Sequence, residues 1–214
     1  MMTLDYEQSL WSTGSTPIGV DEAGRGALAG PVVAAAVVLD ASSLPPGLDD
    51  SKKLSPHTRQ HLRELIIASA RYWSVGIIDA ERIDEVNILQ ATFLAMNQAI
   101  AGCLTRMQSD NEKPHLLIDG NRFPPHQLPV TTIIGGDGCS PSIAAASIIA
   151  KTTRDALMAG DLHAKHPNYG FDVHKGYATK AHRAAIVKHG VSPIHRMSFL
   201  SNILPQIDQH ALDI

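Results

Sequence analysis

The amino-acid sequence predicts an α/β protein, in which strands alternate with helices along 214 residues. Short runs rich in valine, alanine and isoleucine, such as residues 31–39, are typical of buried strands. Apolar residues at helical spacing, as in 84–103, are typical of helices that pack on a sheet. The length fits one domain with a substantial core, or a domain with a small appendage.

In the first half of the chain, valine-rich and alanine-rich runs favour strands, and apolar residues three or four apart favour helices. Ser55-Pro56 combines an N-cap residue with a proline suited to the first helical turn. The predicted elements are a strand containing Asp21-Glu22, a strand at 31–39, a helix from 55 to 71, a strand at 72–78 and a helix at 84–103.

In the second half, two short apolar runs are each followed by an acidic residue in a glycine-containing turn. Ser140-Pro141 is again a helix-start signal, and Gly160 is a suitable helix end. The predicted elements are strands at 115–118 and 130–134, a helix from 140 to 160 and a basic helix from 179 to 189.

Composition favours a reduced, cytoplasmic protein that does not contact a membrane. Cys103 and Cys139 form no disulfide framework and no zinc pattern. The N-terminal residues carry Asp5 and Glu7 and lack the basic and apolar segments of a signal peptide. The longest apolar runs are too short to cross a bilayer.

Charge is distributed unevenly, although the net charge is only −3. Residues 1–138 hold 10 Lys and Arg against 16 Asp and Glu, whereas residues 139–200 hold 8 against 3. Six of the eleven histidines also lie in residues 139–200. This distribution favours a protein whose acidic part holds metal and whose basic part meets a phosphate backbone, although ordinary scatter of charge would look similar.

The segment 19–26, with the sequence GVDEAGRG, places two carboxylates beside a glycine-flanked arginine. Neighbouring strand residues point to opposite faces, so Asp21 and Glu22 share one site only if the strand twists or ends there. Gly24 and Gly26 are expected to provide that end and to expose backbone N–H groups, while Arg25 offers donors suited to phosphate. A solvated turn is the alternative for this pair considered alone.

Four acidic residues stand at or just after strand candidates: Asp21, Glu22, Asp119 and Asp137. Carboxylate oxygens select hard cations such as Mg²⁺ or Mn²⁺, and several of them can hold two ions for phosphoryl displacement. The implied chemistry is phosphodiester hydrolysis. Asp119-Gly120 and Asp137-Gly138 are each also typical of structural turns, so only the combination indicates a site.

At this point the motifs resemble those of bacterial ribonuclease HII, the type 2 ribonuclease H family, over residues 18–200. The matching segments are 19–26 with 29–35, 50–54, 118–120, 136–137, 143–151 with Arg154 and Asp155, 169–171, 174–177 with Thr179 and His182, and 194–196 with Ser198 and Phe199.

The resemblance implies a ribonuclease H-like mixed β-sheet flanked by helices, with a small helical C-terminal extension. Residues 1–160 would form the catalytic core, and residues 161–214 would help to grip the duplex, packed with the core or beside it. The implied partners are RNA–DNA hybrids and DNA duplexes that contain ribonucleotides, and the implied state is a monomer.

The resemblance further implies an endoribonuclease that cuts RNA in hybrids and cuts 5′ of single ribonucleotides embedded in DNA. Asp21, Glu22, Asp119 and Asp137 would be the catalytic, metal-binding carboxylates for Mn²⁺ or Mg²⁺. One ion would activate the attacking water and a second would stabilise the leaving 3′-oxygen, giving 3′-hydroxyl and 5′-phosphate ends.

Substrate recognition is also implied residue by residue. Gly24-Arg25-Gly26 would read the 2′-hydroxyl, and Tyr177 would pack on the deoxyribose that follows the ribonucleotide. Tyrosine in such a loop is otherwise often a partly buried anchor. The basic residues expected to contact the backbone, each with a structural or solvated alternative, are Lys52, Lys53, Lys151 and Arg154.

One position departs from the family pattern, since Gly135 stands where a lysine commonly precedes the Gly-Asp pair. The sequence alone therefore suggests that a positive charge near Asp137 is missing. Three other functions stay open at this level: a ribonuclease HIII-like nuclease without junction preference, a non-catalytic nucleic-acid-binding module, and a phosphatase for small molecules. Only about twenty residues precede Asp21, fewer than the extra N-terminal domain of the HIII type needs.

Overall fold

The computed structural model describes residues 2–107 and 112–201. Its centre is a five-stranded mixed sheet with the strand order β3-β2-β1-β4-β5. Pairing is antiparallel between β1 and β2 and between β2 and β3, and parallel between β1 and β4 and between β4 and β5. The strands are β1 (Thr16–Ala23), β2 (Val32–Val38), β3 (Tyr72–Ile78), β4 (Pro114–Asp119) and β5 (Val130–Ile133).

The helices of the described residues are α1 (Asp5–Ser12), α2 (Pro56–Ser69), α3 (Ala80–Val86), α4 (Ile88–Met107), α5 (Pro141–Ala159), α6 (Asp161–Lys165), α7 (Phe171–His174) and α8 (Lys180–His189). Helices on both faces of the sheet confirm the predicted α/β class and mixed sheet. Helices α2 and α5 begin as predicted, because Ser55 Oγ accepts from the N–H of Thr58 and Ser140 Oγ accepts from that of Ile143.

The helix predicted over 84–103 is in fact two helices. Asn87 lies between α3 and α4 with a φ of 68°, a left-handed conformation that interrupts a helix. Its Oδ1 accepts from the N–H groups of Leu89 and Gln90, so it caps the start of α4. Apolar spacing continues across the break, and the sequence pattern therefore concealed it.

The core lies on both faces of the sheet. Helix α4 covers β1, β2 and β3 on one face, and α5 with α2 covers the other. Close approach depends on glycine: a Cβ on Gly19 would lie 2.0 Å from the backbone carbon of Ser142, and one on Gly76 would lie 2.0 Å from the carbonyl oxygen of Ala95. Among the described residues α4 has the length and apolar composition of a membrane span, but it packs on this sheet.

The first turn of α5 is fixed by a buried carboxylate from α1. Glu7 is fully buried, and its Oε1 accepts from Ser140 Oγ at 2.6 Å and from the N–H of Ser142 at 3.0 Å. Negative charge at a helix N-terminus is favourable because the first N–H groups have no partners within the helix. Helix α1 therefore anchors the segment that directly follows Asp137.

The C-terminal helices pack on the loop after β1 through Ala29, Met158 and Phe171. A second contact joins Leu28, Ile186 and Leu200. The division into a core of 1–160 and a C-terminal part of 161–214 stays a prediction, and residues 202–214 of that part lie outside the described residues.

Candidate active site

Three parallel strands bring acidic residues from distant parts of the sequence to one edge of the sheet. The register of β1 with β4 pairs Val20 with Ile118, so Asp21 and Asp119 follow on adjacent strands. Strand β5 pairs with β4 as far as Asp119, and the turn after it carries Asp137. Each of these three aspartates offers a ligand oxygen, and those atoms all lie within 4.8 Å of one another.

These carboxylates are crowded and poorly hydrated. Burial raises the pKa of Asp21 well above its ordinary value, and the charges of Glu22 and Asp119 raise it further. The pKa of Asp119 is also raised, mainly by burial, although its Oδ1 accepts from the N–H of Gly136 at 2.7 Å. Because every donor is a carboxylate oxygen and the group repels itself, the residues fit a hard divalent cation.

Glu22 follows Asp21 in β1 and lines the same cleft, and its predicted role as a metal ligand stays a prediction. Strand β1 continues to Ala23, and Asp21 and Glu22 pair inside it with Ala35 and Ala34. Glu22 is not one of the three residues whose ligand oxygens lie within 4.8 Å of one another, but it lines the cleft with Asp21 and Asp119. It also borders a small cavity of about 70 Å³ with residues of α4. Burial raises the pKa of Glu22, and its ion pair with Arg25 opposes that shift.

A cleft of about 540 Å³ joins the acidic group to most of the predicted substrate residues. Its lining includes Asp21, Glu22, Asp119, Gly24, Arg25, Gly26, Lys52, Lys151 and Tyr177. It also includes Ser51 and Arg59, which were not among the predicted site residues. Ser51 lies within a motif that carries the family resemblance, whereas Arg59 belongs to no motif. Arg59 donates to the carbonyl of Ser51 at 2.7 Å.

The positive charge that appeared to be missing beside Asp137 is supplied from another part of the chain. Lys52 Nζ lies 3.2 Å from Asp137 Oδ2, so the lysine of the loop before α2 takes the place left by Gly135. Gly135 itself adopts a left-handed φ of 66°. Lys53 differs from its neighbour, because it is exposed, pairs with Asp49 at 3.3 Å and does not line the cleft.

The structure gives Arg154 a different position from the predicted contact with nucleic-acid backbone. Its side chain is fully buried, and its guanidinium donates to the carbonyls of Ala29, Pro31 and Lys175 at 2.8–3.0 Å. These bonds leave it occupied beneath the cleft rather than facing a ligand. Arg154 therefore fixes the protein backbone around the cleft.

The half-buried ring of Tyr177 stands over two cations at one side of the cleft. Lys151 Nζ lies 5.3 Å and the guanidinium carbon of Arg154 lies 5.2 Å from the ring centre, both within cation–π range. Lys151 also pairs with Asp155 at 2.7 Å on the same helix. Both cations therefore pack against the ring, which also lines the cleft.

Comparison with known proteins decides the family of the chain. Residues 18–202 match the family model described as Ribonuclease HII.

The chain belongs to the ribonuclease HII family.

Curated relatives agree with this assignment. Ribonuclease HII of Dechloromonas aromatica is 54% identical over 181 residues, which is 85% of this chain and 89% of the relative. Ribonuclease HII of Chlorobaculum tepidum is 51% identical over 205 residues, covering 93% and 96%. Members of this family are ribonuclease H-type hydrolases, and the chain is a metal-dependent endoribonuclease.

Solved structures share the fold. The ribonuclease H2 of Pyrococcus horikoshii OT3 aligns with a TM-score of 0.67 at 24% identity, covering 91% of this chain and 99% of that one. Bst ribonuclease HIII, solved in complex with Mn²⁺, aligns with a TM-score of 0.69 at 17% identity, covering 92% of this chain but 71% of its own. At these identities the likeness supports the fold alone.

Behind Tyr177, this ribonuclease HII-family chain contains a buried relay of histidines. The N–H of Ser192 donates to His195 Nδ1 at 2.9 Å, so the pattern assigns the ring proton of His195 to Nε2. His195 Nε2 donates this proton to His182 Nε2 at 3.1 Å. His182 Nδ1 in turn donates to the carbonyl of Tyr177 at 3.0 Å. The relay therefore ends on the backbone of a predicted substrate residue.

Burial keeps the relay neutral. Desolvation lowers the pKa of both His182 and His195 to about 4. Nearby, His174 stacks on His182 with ring centres 4.4 Å apart and accepts from the N–H of Gly176. The motif around residues 174–182 indicated this segment, but the contacts between the rings depend on the fold.

Proposed function

We propose that this enzyme hydrolyses the RNA strand of RNA–DNA hybrids and cuts 5′ of single ribonucleotides embedded in duplex DNA. The observation that carries the proposal is one cleft that combines the acidic group with the Gly24-Arg25-Gly26 loop and Tyr177. A phosphatase for small molecules would have no use for the loop and the tyrosine beside the carboxylates.

Asp21, Glu22, Asp119 and Asp137 would hold divalent cations, since the three aspartates offer oxygens within 4.8 Å of one another and Glu22 lines the cleft beside them. The Mn²⁺ complex of the Bst ribonuclease HIII supports Mn²⁺ or Mg²⁺ as the ion. When bound, such cations supply Lewis-acid stabilisation of the phosphate and lower the pKa of a coordinated water.

The residues of the chain do the positioning. Lys52 holds Asp137 by an ion pair, and the N–H of Gly136 holds Asp119. In the hydrolysis, water oxygen bonds to phosphorus, the bond from phosphorus to the 3′-oxygen breaks, and that oxygen takes a proton. The products carry 3′-hydroxyl and 5′-phosphate ends.

Specificity would come from two groups on the rim of the cleft. The loop at Gly24-Arg25-Gly26 would read the 2′-hydroxyl, the group that distinguishes RNA from DNA. Tyr177 would pack on the following deoxyribose, and its cation neighbours would hold the ring in place. We expect the enzyme to act in the cytoplasm as a monomer, with Lys151 and Lys52 near the phosphate backbone.

The test is cleavage of a labelled DNA duplex with one ribonucleotide, beside an all-DNA duplex, with Mg²⁺, Mn²⁺ or EDTA. One cut 5′ of the ribonucleotide, absent from the all-DNA duplex and in EDTA, is the expected result. Cleavage of long hybrids alone would instead favour an HIII-like activity. Binding without cleavage would exclude the proposed reaction.

A further inference from the structure

Two buried arginines occupy the loop that follows β1. Arg196 is fully buried, and it donates from Nε to the carbonyl of Gly30 at 3.0 Å and from Nη1 to that of Arg25 at 2.9 Å. Arg154 holds the carbonyls of Ala29 and Pro31. Four backbone carbonyls within residues 25–31 therefore accept from these two guanidinium groups, namely those of Arg25, Ala29, Gly30 and Pro31.

The bond to Arg25 has a consequence for the next residue. In a trans peptide the C=O and the following N–H point in opposite directions. Since the carbonyl of Arg25 points into the protein toward Arg196, the N–H of Gly26 points away from Arg196. Gly26 lines the cleft, and a Cβ built on it would meet no atom within 4 Å. Among the described residues this N–H has no intramolecular acceptor.

Burying the side chain of Arg196 beneath the loop costs free energy, which indicates a specific role for this arginine. Burial and the neighbouring charge of Arg154 lower the pKa of Arg196 to about 9. Arg196 makes no carboxylate ion pair among the described residues, and its Nη2 has no hydrogen-bond partner there. Its backbone is fixed from α3, because Asp84 accepts from the N–H groups of Met197 and Ser198.

We propose that Arg196 is a positioning residue for the peptide between Arg25 and Gly26, and that it thereby sets the discrimination between ribose and deoxyribose. The proposal rests on the proposed function, in which this loop reads the 2′-hydroxyl. Lysine is not equivalent, because one ammonium group cannot hold the carbonyls of Arg25 and Gly30 in the planar geometry of a guanidinium. Arg196→Lys therefore keeps the positive charge but loses the orientation of the peptide between Arg25 and Gly26.

The test compares Arg196→Lys with the unmodified enzyme by steady-state kinetics in Mg²⁺. KM and kcat are measured for a duplex with one ribonucleotide, and Ki is measured for the all-DNA duplex of the same sequence as a competitive inhibitor. We expect the ratio of Ki to KM to fall about tenfold, as for loss of one well-placed hydrogen-bond donor to the 2′-hydroxyl. Ki itself should stay within about twofold of its value for the unmodified enzyme. Loss of folded enzyme would lower kcat and leave the ratio unchanged.

The matched control is Arg106→Lys, because Arg106 is an exposed arginine that donates to the carbonyl of Trp73 and does not line the cleft. Its ratio should equal that of the unmodified enzyme. A folded Arg196→Lys enzyme with an unchanged ratio would overturn the proposal. An unmodified enzyme that does not prefer the ribonucleotide duplex would instead refute the proposed function.

Where Arg196→Lys does not fold, as judged by circular dichroism, Asp84→Asn answers the same question. Asp84 is only half-buried, and the substitution removes one of the two acceptors that hold the backbone after Arg196. A fall of about threefold in the ratio supports the proposal. An unchanged ratio in folded Asp84→Asn overturns it.

Discussion

Acidification should weaken the folded state through the buried pair His182 and His195. Both have a pKa of about 4 in the folded protein, compared with 6.5 for an ordinary histidine. The unfolded chain therefore binds protons more readily between pH 6.5 and 4, so the stability is fully present above pH 6.5 and falls as the pH drops through this range. From pH 7 to pH 5, linkage gives a loss of about 2 kcal/mol for one histidine.

The two losses add almost fully, because between pH 7 and pH 5 they come from protonation of the unfolded chain, while both rings stay largely neutral in the folded protein. The pair should therefore lose about 4 kcal/mol in total. The assay is urea unfolding followed by circular dichroism at pH 5, 6 and 7 in EDTA.

The comparison protein is the double variant His182→Asn with His195→Asn. Asparagine retains a donor for the carbonyl of Tyr177 and an acceptor for the N–H of Ser192, but it does not titrate. The raised pKa values of the clustered carboxylates act in the opposite direction in both proteins and cancel in the difference. Equal slopes of stability against pH in the two proteins would refute the reasoning.

Three further results are expected. Asp21→Asn or Asp119→Asn should lower kcat at least about 1000-fold in the ribonucleotide cleavage assay, whereas Asp137→Asn should leave measurable turnover. Equal losses at all three positions would contradict this expectation. Tyr177→Ala should keep Mn²⁺ binding, measured by calorimetry, and lower cleavage at single ribonucleotides about tenfold; unchanged junction cleavage would remove the role given to the ring. Gly19→Ala should lower the free energy of unfolding, measured in urea, by at least about 3 kcal/mol, because the added Cβ would overlap the backbone of α5. A loss below about 1 kcal/mol would mean that α5 moves aside.

Much of the fold was predictable because its signals are local. The valine-rich strand β2 and the helix starts at Ser55-Pro56 and Ser140-Pro141 each depend on a few adjacent residues. The break at Asn87 was missed because apolar spacing continues across it, and only the backbone conformation shows it.

The sequence by itself also determined which residues form the acidic group, because acidic residues after successive strand candidates converge wherever those strands run parallel. Asp21, Asp119 and Asp137 lie together as the register of β1, β4 and β5 requires. Alternation along a strand would place Glu22 on the opposite face from Asp21, so only the fold shows that both line one cleft.

Only the tertiary structure decided the partners of the charged side chains. Lys52 stands beside Asp137 although 85 residues separate them, and Arg154 and Arg196 are buried on the carbonyls of a loop more than 100 residues away. No local pattern distinguishes such a cation from one that faces solvent, since burial depends on which distant backbone groups need donors. The physical reason is that strand and helix signals reside in neighbouring residues, whereas desolvation and hydrogen-bond partners are properties of the packed chain.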